Sequence, residues 1–336
     1  MEYRRLGNSG LKVSPICLGA MMFGEQTDEA VAGRIVESAF DAGINFIDTA
    51  DGYAKGASEC MVGKLIAKHR ERWVLATKVQ NAMTPADPNS GGGGRKWMTF
   101  ELDASLKRLG ADYIDIYYMH RDDLETPLEE TVSTLGDFIR AGKVRYLGLS
   151  NFDGWRIAEF VNTCRRLGVP QPVVLQPVYN AMNRSGEIEM FPACAHYGLG
   201  IVPYSPLARG VLTGKYLPGG KPQSDSRAGR NDRRMLESEF REQSLEYAQR
   251  IKAHAEKRGM TAGQFALNWV LNNRLVTAVI AGPRTEDQWR EYLGALDHQF
   301  DAGDEALIDS LVAPGHNSTP GYTDPKFPIL GRVPHT

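Results

Sequence analysis

Short apolar runs rich in β-branched and aromatic residues recur along the chain: PICLGA from residue 15, INFIDTA from 44, WVLATK from 73, YIDIYYMH from 113, VRYLGLS from 144, VVLQPVY from 173, GIVPYSP from 200 and VTAVIAG from 276. Between most of them lie segments with apolar residues three and four positions apart, such as DEAVAGRIVESAFDAG, TFELDASLKRLG and LEETVSTLGDFIRAGK. The first pattern predicts buried strands and the second amphipathic helices, with acidic starts and glycine stops. Their alternation predicts parallel strands covered by crossover helices. Eight strands are the count of a closed (β/α)8 TIM barrel, the fold class expected here, although a doubly wound open sheet fits the same periodicity. The opening YRRLGNSGLKVS predicts a β-hairpin around GNSG that plugs the N-terminal mouth of the barrel.

Where the spacing stretches, the extra residues follow a strand and precede its helix. One insertion, VQNAMTPADPNSGGGGRKWM, comes after the third strand; the other runs from Ser205 to about Gln243, after the seventh. Both therefore fall as long loops on the C-terminal face, where barrel enzymes build their sites. The four glycines at 91–94 read as a flexible loop. A single barrel domain is expected over residues 1–312, with 313–336 an irregular, proline-rich tail.

Composition changes this picture little. The chain has 336 residues, is 42% hydrophobic, and balances 39 Lys and Arg against 41 Asp and Glu. Neither nucleic acid nor a membrane is implied as a partner. The start, MEYRRLGNSG, lacks an apolar leader, and no apolar run approaches a spanning length, so a cytoplasmic location is expected. Cys17, Cys60, Cys164 and Cys194 lie far apart without metal-ligand spacing and read as small buried hydrophobes. No metal is expected, and the oligomeric state is expected to be a monomer or a weak homo-oligomer.

Chemistry enters at the strand ends. Asp48 ends the second strand, Lys78 the third and His120 the fourth, and a barrel brings such ends to one rim however distant they are in sequence. Tyr53 follows the second strand on a bend of glycine and small residues. A free phenol is a weak acid, with a pKa near ~10; an adjacent ammonium would lower it, and a carboxylate would hold that ammonium in place. An imidazole can hydrogen-bond and orient a substrate oxygen. The set suits protonation of a carbonyl oxygen as hydride reaches its carbon. No GxGxxG is present to supply a Rossmann site for the hydride donor, and GVLTGKY lacks P-loop spacing.

The order and spacing of DTADGYAKGASE, LATK, YYMH, KVRYLGLSNF, LQPVYN and YSPLARGVLTGKY resemble the aldo-keto reductase superfamily, from the hairpin to about residue 300. The likeness is to the branch holding potassium-channel β-subunits and many bacterial reductases. It implies a barrel that binds NADPH/NADP+ across its rim and reduces aldehydes or ketones, with a small-molecule carbonyl as partner. It implies a catalytic tetrad of Asp48, Tyr53, Lys78 and His120, with Tyr53 the proton donor. Ser150, Asn151 and Gln176 match positions that hold the carboxamide, and Tyr204 the ring that stacks on the nicotinamide. Gly19, Ala20 and Met21, with Asp48, are also placed with the cofactor. Ser205, Leu207, Arg209 and Gly210 match the segment around the pyrophosphate, with Lys215 and Arg227 as cations for the phosphates. Gly282, Arg284, Gln288 and Glu291 match the adenosine end, and the guanidinium of Arg284 suits a 2′-phosphate, favouring NADP over NAD. Tyr292 stands where an asparagine is usual. Arg230, Arg233 and Arg234 read as solvated surface side chains. Met22, Phe23, Tyr53 and His120 are expected to line the substrate pocket with Met21, with Trp97 as a wall, in a roomy site adaptable to bulky ketones. The alternative function implied is a nicotinamide-sensing accessory subunit like the channel β-subunits.

Overall fold

The computed structural model describes residues 1–84, 86–320, 324, 326 and 327. The chain divides into two compact units, one of Met1–Pro177, Glu189–Tyr204 and Arg274–Leu293, the other of Val178–Ile188, Ser205–Asn273 and Gly294–Thr336. In the first unit, an antiparallel hairpin of β1 (Arg4–Arg5) and β2 (Lys12–Val13) precedes eight parallel strands. These are β3 (Ile16–Gly19), β4 (Phe46–Asp48), β5 (Val74–Val79), β6 (Ile114–Met119), β7 (Val144–Ser150), β8 (Val174–Gln176), β9 (Gly200–Ile201) and β10 (Val279–Ala281). Neighbours follow chain order from β3 to β9, and β10 lies beside β3. The remaining seam is joined by a bridge between Ile201 and Val276. There Thr277 N–H donates to Ile201 O at 2.8 Å and Ile280 N–H to Pro203 O at 2.9 Å. The sheet thus closes into the expected (β/α)8 barrel; an open sheet would leave both edges unpaired.

Helices α1 (Glu29–Asp41), α2 (Ala57–Ile66), α3 (Arg95–Leu109), α4 (Leu128–Arg140), α5 (Gly154–Leu167) and α6 (Met190–Tyr197) alternate with β3 to β9. The Asp28 carboxylate caps α1 by accepting the Val31 N–H at 2.9 Å. The start of α3 corrects the sequence reading: RKWM, assigned to the inserted loop, is the first turn of the helix. Nothing after Gly94 breaks a helix, and starting it there buries Trp97 and Met98. Helices α2 and α3 meet closely at Gly63, where a Cβ would lie 2.1 Å from the Leu109 carbonyl oxygen. The hairpin lies against the entries of β8 and β9: Asn8 N–H donates to Gly198 O at 2.8 Å. Leu6 and Val13 extend from it into the barrel core.

That core is built from alternate strand residues, because successive side chains point to opposite faces. Cys17, Phe46, Val74, Ala76, Ile116, Tyr118, Val174, Val202 and Ile280 fill it, with Tyr204 packed at its margin. Two residues beyond the last apolar member of these rows stand Gly19, Asp48, Lys78, His120, Gln176, Tyr204 and Gly282. The register pairs Gly19 with Asp48 and Ser150 with Gln176. The apolar filling stops one step short of the C-terminal rim, and the next inward position is polar or glycine on strand after strand.

The second unit contains the helices Glu242–Lys257, Ala262–Asn272 and Ala302–Leu311. Arg184, nearly buried, ties it together through Asp309 at 2.6 Å, Glu187 at 3.0 Å and the Val312 carbonyl at 2.8 Å. Residues 315–320 are irregular but held: Ser318 N–H donates to Met182 O at 2.9 Å and its hydroxyl meets that of Ser244 at 2.7 Å. Most of the tail beyond Pro320 lies outside the described residues.

Candidate active site

The rim of the barrel carries a buried ammonium whose three hydrogens all have acceptors. Lys78 Nζ lies 2.5 Å from Asp48 Oδ1, 2.8 Å from the Thr49 carbonyl and 3.1 Å from the Tyr53 hydroxyl. The second carboxylate oxygen of Asp48 accepts from Gln176 Nε2 at 2.9 Å. Both members of the ion pair are buried. Burial alone would push Lys78 down, but Asp48 and the Tyr53 oxygen outweigh it and hold the ammonium above its ordinary value. Burial pushes the Asp48 carboxyl up, against the opposing pull of Lys78 and Gln176. The site is therefore a fixed positive charge aimed at one phenol.

Tyr53 is carried past β4 by a 3-10 turn, Tyr53–Gly56, in which Ala54 and Lys55 take φ of 47° and 54°. Non-glycine residues occupy that left-handed region at a cost of roughly 1–2 kcal/mol each, so the surrounding structure must impose the bend. The phenol ring stands edge-on to His120 with centroids 5.8 Å apart. Asn81 Nδ2 lies 3.1 Å from His120 Nδ1, and Asn151 Nδ2 donates to the His120 carbonyl at 2.9 Å. Asp48, Lys78, Tyr53 and His120, four residues from three strand ends, thus surround one small volume. A proton can leave the phenol there with a cation beside the oxygen it leaves.

Other assigned positions cluster on the same rim of this unit. The Ser150 hydroxyl donates to Gln176 O at 2.8 Å, and the Tyr204 hydroxyl donates to Asn151 Oδ1 at 2.8 Å. Asn151 holds a left-handed φ of 58°. Ala20 N–H donates to Asp48 O at 2.8 Å, which sets the end of β3 beside β4. After β10, Gln288 Oε1 accepts the Arg284 N–H at 2.8 Å, and among the described residues no carboxylate pairs with the Arg284 guanidinium. Glu291 lies one helical turn beyond Gln288, on Glu286–Gly294.

In the second unit, Ser205, Ala208, Arg209 and Gly210 all have positive φ, which turns the backbone of the segment following β9 sharply. Such turns align successive N–H groups into anion-binding concavities. Arg209 itself is committed elsewhere: its Nε meets Glu239 at 2.6 Å. Leu207 lies within this turn, Lys215 is exposed, and among the described residues Asp232, 3.5 Å away, is the only carboxylate paired with Arg227.

The family model for aldo/keto reductases matches residues 15–313. The chain belongs to this family. A Bacillus subtilis protein named as an uncharacterized oxidoreductase, YrpG, is 37% identical over 335 residues, covering 96% of this chain and 99% of its own length. The L-glyceraldehyde 3-phosphate reductase of Escherichia coli K12 is 35% identical, covering 94% and 93%. A probable voltage-gated potassium channel subunit beta of Arabidopsis thaliana is 37% identical, covering 88% and 92%. Together these make the protein an oxidoreductase of the aldo/keto reductase family, whose cofactor is a nicotinamide dinucleotide. Among the described residues, no helix is long and apolar enough to cross a membrane.

The remaining assigned side chains differ in burial, and the readings of Cys60 and Arg234 need correction. Phe23, expected in the substrate pocket, is wholly buried, and Met22 nearly so; the chain turns back at Phe23 by bridging to Thr27. Met21, expected beside the cofactor, is exposed. Trp97 packs into the buried face of α3 rather than standing on a loop. Cys60 is exposed, because its place on α2 turns it to solvent. Arg234 is no free surface cation: it pairs with Asp324 at 2.6 Å and lies over the Phe327 ring. Arg233 is solvated, as read.

Two polar residues beside the tetrad had no role in the sequence reading, Asp51 and Asn81. Asp51 falls in the quoted DTADGY stretch, but strand periodicity ends before it. Burial, eased by Asn81 and reinforced by Glu101 and Glu59, pushes its carboxyl up to about 7. An acid whose folded value is raised takes up a proton on folding. Its contribution is fully present below the unfolded value and is lost as pH rises through the folded one. Wild-type stability relative to Asp51→Asn should therefore fall between about pH 4 and pH 7, by about 4 kcal/mol at most. Urea melts of both proteins across that range check it; parallel curves contradict it.

Proposed function

We propose that the protein is an NADPH-dependent reductase of aldehydes or ketones, reversible as an alcohol dehydrogenase. The observation that carries the reading is the Lys78 ammonium, saturated by Asp48 Oδ1, the Thr49 carbonyl and the Tyr53 hydroxyl. Tyr53 is the general acid: it gives its proton to the substrate carbonyl oxygen, and the ammonium stabilises the oxyanion left on the phenol. Asp48 and Gln176 keep Lys78 in position, and His120 orients the carbonyl. The bound cofactor supplies the hydride. In the first unit, Ser150, Asn151, Gln176 and Tyr204 are assigned to its nicotinamide end, with Gly19, Ala20 and Met21 nearby. Gly282, Arg284, Gln288 and Glu291 are assigned to its adenosine end. In the second unit, the turned segment Ser205–Gly210 with Lys215 and Arg227 supplies phosphate-binding groups.

The chemistry of the residues fits that cofactor. Arg284 has no carboxylate partner among the described residues, and a guanidinium that can meet a phosphate bidentately is what separates NADPH from NADH. Arg284→Ser should weaken NADPH binding about tenfold to a hundredfold while leaving NADH within a factor of about two, since a charge-assisted hydrogen bond contributes about 1.5–3 kcal/mol. Fluorescence titration with the two cofactors measures this, and equal losses for both would remove Arg284 from the 2′-phosphate.

The activity itself is tested by following NADPH absorbance against a panel of short aldehydes, phosphorylated aldehydes and cyclic ketones. A second reading, a nicotinamide-sensing accessory subunit, draws on the similarity to proteins named as potassium channel β-subunits. Tight NADPH binding without consumption by any carbonyl would favour it.

A further inference from the structure

Behind His120 runs a chain of side chains that none of the roles above uses. Asp51 leaves β4 three residues after Asp48 and is wholly buried. Its Oδ1 receives two N–H groups, from Gly52 at 2.5 Å and from Asn81 Nδ2 at 2.9 Å. Its Oδ2 is buried and has no hydrogen-bond partner among the described residues. The same Asn81 nitrogen lies 3.1 Å from His120 Nδ1. Room for it comes from Gly52, where a Cβ would stand 2.8 Å from Asn81 Nδ2.

The hydrogen bonds leave few choices. A backbone N–H can only donate, so Asp51 Oδ1 must accept from Gly52 whatever the protonation of the carboxyl. Once the carboxyl is ionised both its oxygens can only accept, so Asn81 must then present its amide nitrogen to Asp51 and not its carbonyl. The second hydrogen of that nitrogen then points toward His120 Nδ1, and only a lone pair can receive it. A neutral imidazole with a lone pair on Nδ1 carries its proton on Nε2.

We propose that Asp51, acting through Asn81, fixes His120 as the Nε2–H tautomer and so makes the imidazole a hydrogen-bond donor to the substrate carbonyl oxygen. Asp51 and Asn81 are positioning residues; of these three, only His120 meets the substrate. The catalytic half of this statement rests on the reading given under Proposed function, whereas the tautomer does not. Among the described residues no cation pairs with Asp51, and the carboxylates near it are already paired. Glu59 on α2 and Glu101 on α3 are both buried and both paired with Arg108, the first at 2.6 Å. The Thr77 hydroxyl donates to Glu59 at 2.6 Å, and Tyr117 brings a buried phenol. Arg108 is thus taken up by two other carboxylates, and among the described residues the donors reaching Asp51 are the backbone of Gly52 and the Asn81 amide.

Nitrogen NMR of the full chain with isotope-labelled histidine reads the tautomer without substrate or cofactor, His120 being assigned with His120→Gln. The expected wild-type spectrum has a protonated, pyrrole-like Nε2 and an unprotonated, pyridine-like Nδ1. In Asn81→Asp, a carboxylate faces Nδ1 and draws the proton to it. The two signals should exchange, and kcat should fall about tenfold to a hundredfold with NADPH binding unchanged. Asp51→Ala frees the amide to turn and should give mixed tautomers with an intermediate loss, while Asp51→Asn, which restores an acceptor oxygen, should recover most of it. A proton on Nδ1 in the wild-type protein overturns the proposal outright, as does an Asn81→Asp spectrum with unexchanged signals. Exchanged signals with undiminished kcat overturn its catalytic half. A wild-type protein with the expected tautomer that consumes no NADPH with any carbonyl would instead overturn the reductase reading and leave the tautomer standing.

Discussion

Tyr53→Phe is expected to bind NADPH as the wild type does and to turn over carbonyl substrates about 10² to 10⁴ times more slowly, the range that loss of a positioned general acid produces. The substitution removes one oxygen and keeps the ring, including its edge-on packing against His120. It also leaves Lys78 with two of its three acceptors, Asp48 and the Thr49 carbonyl, so the ammonium stays paired and the rim should keep its shape. The loss should therefore appear in kcat and kcat/KM together, with little change in the binding of NADPH, because the phenolic proton matters only as charge develops on the substrate oxygen. Single-turnover absorbance together with a cofactor titration measures both quantities. Undiminished turnover would show that another group supplies the proton.

Lys78→Met is expected to abolish measurable turnover and also to destabilise the fold, by about 3–5 kcal/mol, because it strands a buried carboxylate. Asp48 would keep the Gln176 amide on Oδ2 but lose its only ion-pair partner among the described residues. Without Lys78, the burial that already pushes the carboxyl up acts with less opposition. The sign follows: a carboxyl raised in the folded state binds a proton on folding, so the variant should be least impaired in acid and lose stability as pH rises. Urea denaturation at about pH 5 and about pH 8 separates this from a simple packing defect, which would cost the same at both. Adding Asp48→Asn to Lys78→Met should restore part of the stability and none of the activity, since it removes the stranded charge without returning a cation to Tyr53.

The two variants separate what the pair contributes. Tyr53 carries chemistry on a scaffold that does not depend on its hydroxyl. Lys78 is both the cation the phenol needs and half of a buried ion pair on which the rim depends. Asp51 contrasts with Asp48: two carboxyls three residues apart, one neutralised by an ammonium and the other reached by N–H groups, leave β4 into different electrostatic surroundings.

All eight barrel strands were legible as apolar runs, because a strand buried on both faces needs no polar alternation and stands out against the amphipathic helices. The helix starts were less so. RKWM looked like loop because four glycines precede it, yet helix α3 begins as soon as they end, when packing of Trp97 and Met98 repays the ordering. Asp48, Lys78 and His120 could be picked out as the polar residues that terminate apolar runs. Asn81 could not, since it sits in an irregular loop with no period, and its contacts with Asp51 and His120 depend on where that loop folds back. Arg234 and Cys60 failed for the same reason: exposure of a residue between or beside elements depends on what else packs there.

From the residues alone came the strand and helix alternation, the number of strands, and the candidate polar groups at their ends, because these are local properties of period and composition. Closure of β9 onto β10, the approach of Lys78 to both Asp48 and Tyr53, and the amide that joins Asp51 to His120 were decided only by the tertiary structure. A two-residue period says which side of a strand a group lies on, but it cannot say how far each strand has slid along its neighbour or how a loop returns. Hydrogen bonds form or fail over less than an ångström, a distance that only the assembled packing determines.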